Sequence, residues 1–251
     1  MDIKLIVTDL DRTLLRSDKT VSPYTAEVLS RCRARGVKVV FATARPGNRV
    51  ELLGIADLAD MVIINNGAAV YKRGESVTEF GIEPHIVKEL VGRFTAHYDG
   101  LKIWVVYSDI AYTNCDISEY WEGSIHSGLE ELPDLLADKI CIKAGGEMYR
   151  EVCDLLPQKL YAQLIRDPLI FIESKLASKW NSIRLLADKR GIETTEIAAF
   201  GDDSNDIEML LNCGVGVAVA NALDEVKSAA DYICGSNDDD GVARWLEENV
   251  L

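Results

Sequence analysis

Short apolar runs alternating with amphipathic stretches set the strongest constraint on how this chain can fold. "IKLIVT" (3–8) is followed by "SPYTAEVLSRCRARG" (22–36), then "VKVVFAT" (37–43), a short stretch opened by Pro46, and "MVIINNG" (61–67). The apolar runs read as buried strands. Ser22 as N-cap, Pro23 at the first position and Gly36 as a stop mark the first amphipathic stretch as a helix. The C-terminal part resumes the rhythm. "KWNSIRLLADKRG" reads as a helix, "IAAFGDD" as a strand, "NDIEMLLNCG" as a helix and "VGVAVA" as a strand, with "NALDEVKSAA", "DYICG" and "GVARWLEENV" closing as helix, strand and helix. Strands spaced by helices predict a parallel sheet with helical crossovers, a Rossmann-like α/β core.

The middle breaks that rhythm. After the hairpin-like "AAVYKRGESVTEF" (68–80), helices mix with strands such as "KIWVVYS", "KICIKAG", "YAQLIRD" and "LIFIES", several at hairpin rather than crossover spacing. The expected organisation is a core of residues 1–81 and 175–251, split by an α+β insertion at 82–174.

The formal charge of −14 argues against nucleic acid or an anionic membrane as partner. No stretch reaches the roughly 18–20 consecutive apolar residues of a membrane span. The opening "MDIKLIVTDLD" lacks the apolar core and cleavage site of a signal peptide, so a cytoplasmic location is expected. Cys32, Cys115, Cys141, Cys153, Cys213 and Cys234 form no close pair, and reduced thiols are expected rather than a disulfide framework. His85, His97 and His126 show no zinc-ligand spacing with them.

In a parallel sheet, ligands bind beyond the carboxyl ends of the strands. Four such ends stand out: "TDLD", "FATAR", "VIINNG" and "AFGDDSND". The first and last bring Asp9, Asp11, Asp202, Asp203 and Asp206 to one neighbourhood. So many carboxylates stay ionised together only if a cation joins them. Oxygen ligands without His or Cys point to Mg²⁺ and phosphate chemistry. In such a site Asp9 can hold the metal and attack phosphorus as a nucleophile. Asp11 can protonate the leaving alkoxide and then deprotonate the hydrolytic water.

"DLDRT" (9–13), Thr43 at a strand end, Lys179 at a helix start and "GDDSND" (201–206) resemble the four ordered motifs of the haloacid dehalogenase superfamily. The tail "AAFGDDSNDIEMLLNCGVGVAVANA" is similar to that of the Cof-type sugar-phosphate phosphatases, whose cap is inserted between the second and third motifs. The resemblance implies an Mg²⁺-dependent phosphatase that hydrolyses small phosphate monoesters, sugar phosphates or related metabolites, through an aspartyl-phosphate on Asp9. Asp9, Asp202 and the backbone carbonyl of Asp11 would be the metal ligands, and Asp11 the acid and base. Thr43, with the backbone N–H groups of Leu10 and Ala44, would hold the phosphoryl oxygens. Lys179 would neutralise their charge, Asn205 would orient the phosphate, and Asp203 and Asp206 would lie nearby, Asp206 supporting Lys179 or a metal-bound water.

Arg12, Ala44 and Trp180 stand where this family commonly has Gly. Asp203 and Asp206 can equally be an N-cap and a first-turn acid. Asn65 and Asn66 read as turn formers before Gly67, and Arg45 and Arg49 as solvated. Lys179 opposes the helix dipole in a first turn, which favours a functional role over that of Lys175. A phosphomannomutase-like mutase keeps both acids but must hold a second phosphate in its cap, and the insertion carries 8 Lys+Arg against 16 Asp+Glu. A non-catalytic Mg²⁺-binding protein would be expected to lack one of Asp9, Asp11, Lys179 or Asp202.

Overall fold

Backbone pairing turns those apolar runs into two sheets. The computed structural model describes residues 2–72, 75–108, 110–121, 124–166 and 168–251. Residues 73 and 74, within the expected hairpin, and 167, at the end of "YAQLIRD", lie outside them. In chain order the strands are β1 (Leu5–Thr8), β2 (Lys38–Ala42), β3 (Met61–Ile64), β4 (Ala69–Lys72), β5 (Glu75–Thr78), β6 (Lys102–Tyr107), β7 (Ile110–Thr113), β8 (Ile125–His126), β9 (Lys139–Lys143), β10 (Leu160–Arg166), β11 (Leu169–Ser174), β12 (Ile197–Gly201), β13 (Val215–Ala218) and β14 (Tyr232–Ile233). The α-helices are α1 (Pro23–Ala34), α2 (Gly47–Glu51), α3 (Pro84–His97), α4 (Gly146–Leu155), α5 (Lys179–Asp188), α6 (Ile207–Asn212), α7 (Asp224–Ala229) and α8 (Gly241–Asn249).

The chain divides into two units, Met1–Glu75 with Ser178–Leu251, and Ser76–Ala177. The first is built on a sheet ordered β14-β13-β12-β1-β2-β3-β4. β14 through β3 run parallel and β4 turns back antiparallel to β3. β1 is central, with Leu5 opposite Ile197 on one side and Lys38 on the other. All four of its residues are buried, as a strand covered on both faces requires. Helices supply that cover through Val28, Leu29 and Cys32 of α1, Ile183 and Leu186 of α5, Met209 and Leu210 of α6, and Trp245 and Leu246 of α8. Ser22 caps α1 by accepting from the Thr25 N–H at 3.0 Å, and Ser178 caps α5 by accepting from Asn181 at 3.1 Å.

The second unit has a sheet ordered β10-β11-β9-β6-β7-β8, antiparallel except between β7 and β8. Side chains alternate across it with a period of two. Ile103 and Val105, Ile140 and Ile142, and Ile170 and Ile172 pack with Ile86, Leu90 and Phe94 of α3 and Val152 of α4. Trp104, Val106 and Cys141 face the other way and gather with Ile117 and Trp121. All six cysteines are free. Among the described residues no helix is long and apolar enough to cross a membrane.

Candidate active site

Carboxyl ends of β1, β2, β3 and β12 define the site. Asp9 follows β1 directly and its N–H donates to the Phe200 carbonyl of β12 at 3.0 Å. The chain then folds tightly, with the Leu15 N–H on the Leu10 carbonyl at 2.8 Å, and Leu10, Leu14 and Leu15 bury beneath the loop. Arg12 takes a left-handed backbone with φ +64°, a conformation that costs a non-glycine residue about 1–2 kcal/mol. Its carbonyl accepts from Asn221 Nδ2 at 2.7 Å and its Nη2 donates to the Asn221 carbonyl at 3.2 Å. That reciprocal pair holds an Arg in the turn where glycine would be strain-free. Thr13, one residue on, donates from Oγ1 to Asp202 Oδ1 at 2.8 Å and so ties the β1 loop to the β12 loop.

After β12 the chain turns so sharply that Asp206 folds back over Gly201, where a Cβ would stand 2.4 Å from the Asp206 Cβ. Asp206 is fully buried, and its Oδ2 accepts from the N–H groups of Asp202 and Asp203 at 2.9 and 3.1 Å. The Asp203 carboxylate, exposed, accepts from the Ser204 N–H at 2.7 Å. These two acids brace their own loop through a reciprocal capping box.

Lys179, the first residue of α5, is 2% exposed. Its Nζ donates to Asp9 Oδ1 and to Asp206 Oδ1, both at 2.6 Å. One oxygen each of Asp9, Asp202 and Asp206 lies within 4.8 Å of the others. Burial pushes the Asp9 carboxyl up to about 7, against the pull of Lys179 and with a further push from Asp206. Burial likewise raises Asp202. For Lys179 burial works against the charge, but the two carboxylates outweigh it and raise the ammonium above its ordinary value. Three buried oxygen donors of this spacing, with no His or Cys among them, suit a hard divalent cation.

Thr43, at the end of β2, is buried, and its Oγ1 accepts from the Arg45 N–H at 3.2 Å. Asn205 lies exposed beside the β3 end, its Nδ2 donating to Asn66 Oδ1 at 2.9 Å. Leu10 is buried and Ala44 exposed on the two loops that flank the site. Asp11 bonds cations other than Lys179. Its carboxylate accepts from Arg45 Nε and Nη2 at 2.6 and 2.7 Å and from Lys19 Nζ at 2.8 Å. Burial opposes its ionisation, but those two cations outweigh that and hold it down at about 2.

The structure therefore gathers Asp9, Asp202, Asp206 and Lys179 and sets Asp11 against Arg45. Arg45, expected to be solvated, is instead the principal partner of Asp11. Its place two residues after Thr43, at a strand end that faces the site, was the available signal. Thr13 and Lys19 carry no such mark in the sequence.

A family model for haloacid dehalogenase-like hydrolases matches residues 6–246. The protein YxeH of Bacillus subtilis is 33% identical over 273 aligned residues, covering 99% of this chain and 98% of YxeH. The 5-amino-6-(5-phospho-D-ribitylamino)uracil phosphatase YcsE of the same organism is 27% identical, covering 100% of this chain and 97% of its own. Among solved structures, a haloacid dehalogenase-like hydrolase from Bacteroides thetaiotaomicron superposes with a TM-score of 0.81 at 27% identity, over 98% of this chain and 99% of that one. The fold is that of a hydrolase built on a largely parallel sheet. The chain belongs to the haloacid dehalogenase-like hydrolases.

Proposed function

We propose that the protein is a phosphoric monoester hydrolase that uses Asp9 as nucleophile on small phosphorylated metabolites. The observation that carries this is the Lys179 ammonium set 2.6 Å from both Asp9 and Asp206 with Asp202 alongside. A lone nucleophilic carboxylate repels a phosphate dianion, and the Lys179 ammonium brings positive charge to the same point. Asp9, Asp202 and the Asp11 carbonyl, with Asp206 close by, would hold Mg²⁺, which would supply further positive charge to the phosphoryl oxygens.

Asp9 Oδ attacks phosphorus, the ester P–O bond breaks, and Asp11 gives a proton to the departing alkoxide. Asp11 then takes a proton from water, whose oxygen attacks phosphorus and releases Asp9. Thr43, with the N–H groups of Leu10 and Ala44, holds the phosphoryl oxygens, and Asn205 and Lys179 orient them. Arg45 favours the ionised form of Asp11. A bound phosphoryl dianion competes for that guanidinium and frees Asp11 to carry a proton. The inserted unit acts as the cap that selects the leaving group, and its acidic balance favours monophosphates over bisphosphates. The name of YcsE specifies a phosphate on a ribityl chain, which supports the same general class of small ester.

The test is hydrolysis of p-nitrophenyl phosphate and a panel of metabolite monophosphates with Mg²⁺, with EDTA and with Asp9→Asn. Turnover that needs Mg²⁺ and falls by about 10³-fold or more in Asp9→Asn supports the reading. Near-normal activity of Asp9→Asn, or turnover confined to bisphosphates, overturns it.

A further inference from the structure

Asn65, Asn66 and Gly67, at the carboxyl end of β3, take three consecutive left-handed backbone conformations with φ of +49°, +55° and +99°. Each costs a non-glycine residue about 1–2 kcal/mol, and such a turn persists only where its surroundings hold it. They do so from several sides. The N–H groups of Asn65 and Asn66 donate to the carbonyls of Arg45 and Thr43 at 3.0 and 3.1 Å. Ser182 Oγ of α5 donates to the Gly67 carbonyl at 2.7 Å. Gly67 passes so close to the start of α5 that a Cβ would stand 2.1 Å from the Ser178 carbonyl oxygen and 2.9 Å from the Lys179 nitrogen. The turn thus joins the Thr43–Arg45 strand end to the helix start that carries Lys179. From its middle, the Asn66 carboxamide reaches Asn205 on the β12 loop.

We propose that Asn66 is a positioning residue whose side-chain oxygen fixes Asn205 for phosphate. The Asn205 amide has two N–H donors; the contact with Asn66 occupies one and orients the other toward the phosphoryl group. This rests on the reading of Asn205 as a phosphate-orienting residue. If Asn66 served only to tolerate a left-handed backbone, glycine would serve as well, since it adopts that conformation without strain.

That contrast supplies the experiment. Wild type, Asn66→Gly, Asn205→Ala and the double variant are compared for kcat and KM on p-nitrophenyl phosphate or the best monophosphate of the panel. Binding of inorganic phosphate in Mg²⁺ is measured by calorimetry and the melting temperature is followed in parallel. Asn66→Gly is expected to weaken phosphate binding and lower kcat/KM by about tenfold, the size of one lost hydrogen bond, while still melting cooperatively. The double variant is expected to be no worse than Asn205→Ala alone. Wild-type phosphate binding and kcat/KM in Asn66→Gly, with Asn205→Ala impaired, overturns the role of Asn66 and leaves the phosphatase reading standing. Losses that multiply in the double variant overturn it as well. A silent Asn205→Ala, or a wild-type chain that binds no phosphate, removes the role of Asn205 and the proposal with it.

Discussion

Arg45 grips Asp11 edge-on, with Nε 2.6 Å from Oδ2 and Nη2 2.7 Å from Oδ1, and Lys19 adds a third donor at 2.8 Å. Asp11 is held at about 2, below its ordinary 3.8, so its ionised form is favoured by folding. The stability it contributes is fully present above pH 3.8 and is lost as pH falls toward 2. Arg45→Ala should therefore cost about 1 kcal/mol at pH 6, the pair being partly exposed, and the difference from wild type should shrink by pH 3. Urea unfolding at the two pH values reads it, and a pH-independent difference would refute the linkage.

Lys179→Met would leave Asp9, Asp202 and Asp206 facing one another in a buried cluster. Removing one partner of a buried ion pair costs about 3–5 kcal/mol. The full loss is expected in EDTA and a smaller one in Mg²⁺, because a bound cation takes over the neutralisation. Equal losses under both conditions would argue against a cation at these carboxylates.

Gly201→Ala places a methyl group 2.4 Å from the Asp206 Cβ. Overpacking of this kind costs about 1–3 kcal/mol. Here it would also lift Asp206 off the N–H groups of Asp202 and Asp203, so Mg²⁺ should protect the variant from thermal unfolding less than it protects wild type. Unaltered protection would show that Asp206 does not steady the Asp202 loop.

Glu173, on β11 of the inserted unit, is 2% exposed and accepts from the Tyr161 hydroxyl at 2.9 Å. Burial raises its carboxyl above the ordinary 4.5, so the folded state keeps its proton longer than the unfolded chain. Stability relative to Glu173→Gln should fall as pH rises above about 4.5, by at most about 1.4 kcal/mol per pH unit. Parallel melting curves from pH 4 to 8 test the sign. A relative stability that rose with pH would contradict it.

Much of this arrangement was legible because local signals agreed with the global fold. The apolar runs of β1, β2, β3, β12 and β13 are buried on both faces, so they lack polar alternation and read as central strands. Ser22 and Pro23, and Ser178 before Lys179, mark helix starts by chemistry that acts over three residues. Asp9, Asp202 and Lys179 stand out because strand ends and a helix start are costly places for such charges. β7 and β8 carry little local signal, being short strands at one margin of the sheet, where β7 depends on β6 for its pairing and β8 on β7. Arg45 was misjudged for a related reason. Its partner Asp11 is 34 positions away, and its place two residues after Thr43 marks a neighbourhood without naming that partner.

The central place of β1 also sets an order of events. Leu5 must pair with Ile197, so the first unit stays incomplete until its last strands emerge during synthesis. At about 5–20 residues per second, residues 1–75 wait roughly 6 to 25 s for β12. Residues 76–177 form one continuous segment with its own apolar core and can fold during that interval. The nascent chain therefore exposes the edge of β1 that awaits β12 for seconds. Slow translation between 76 and 197 should make aggregation, rather than loss of chemistry, the first failure of this protein in the cell.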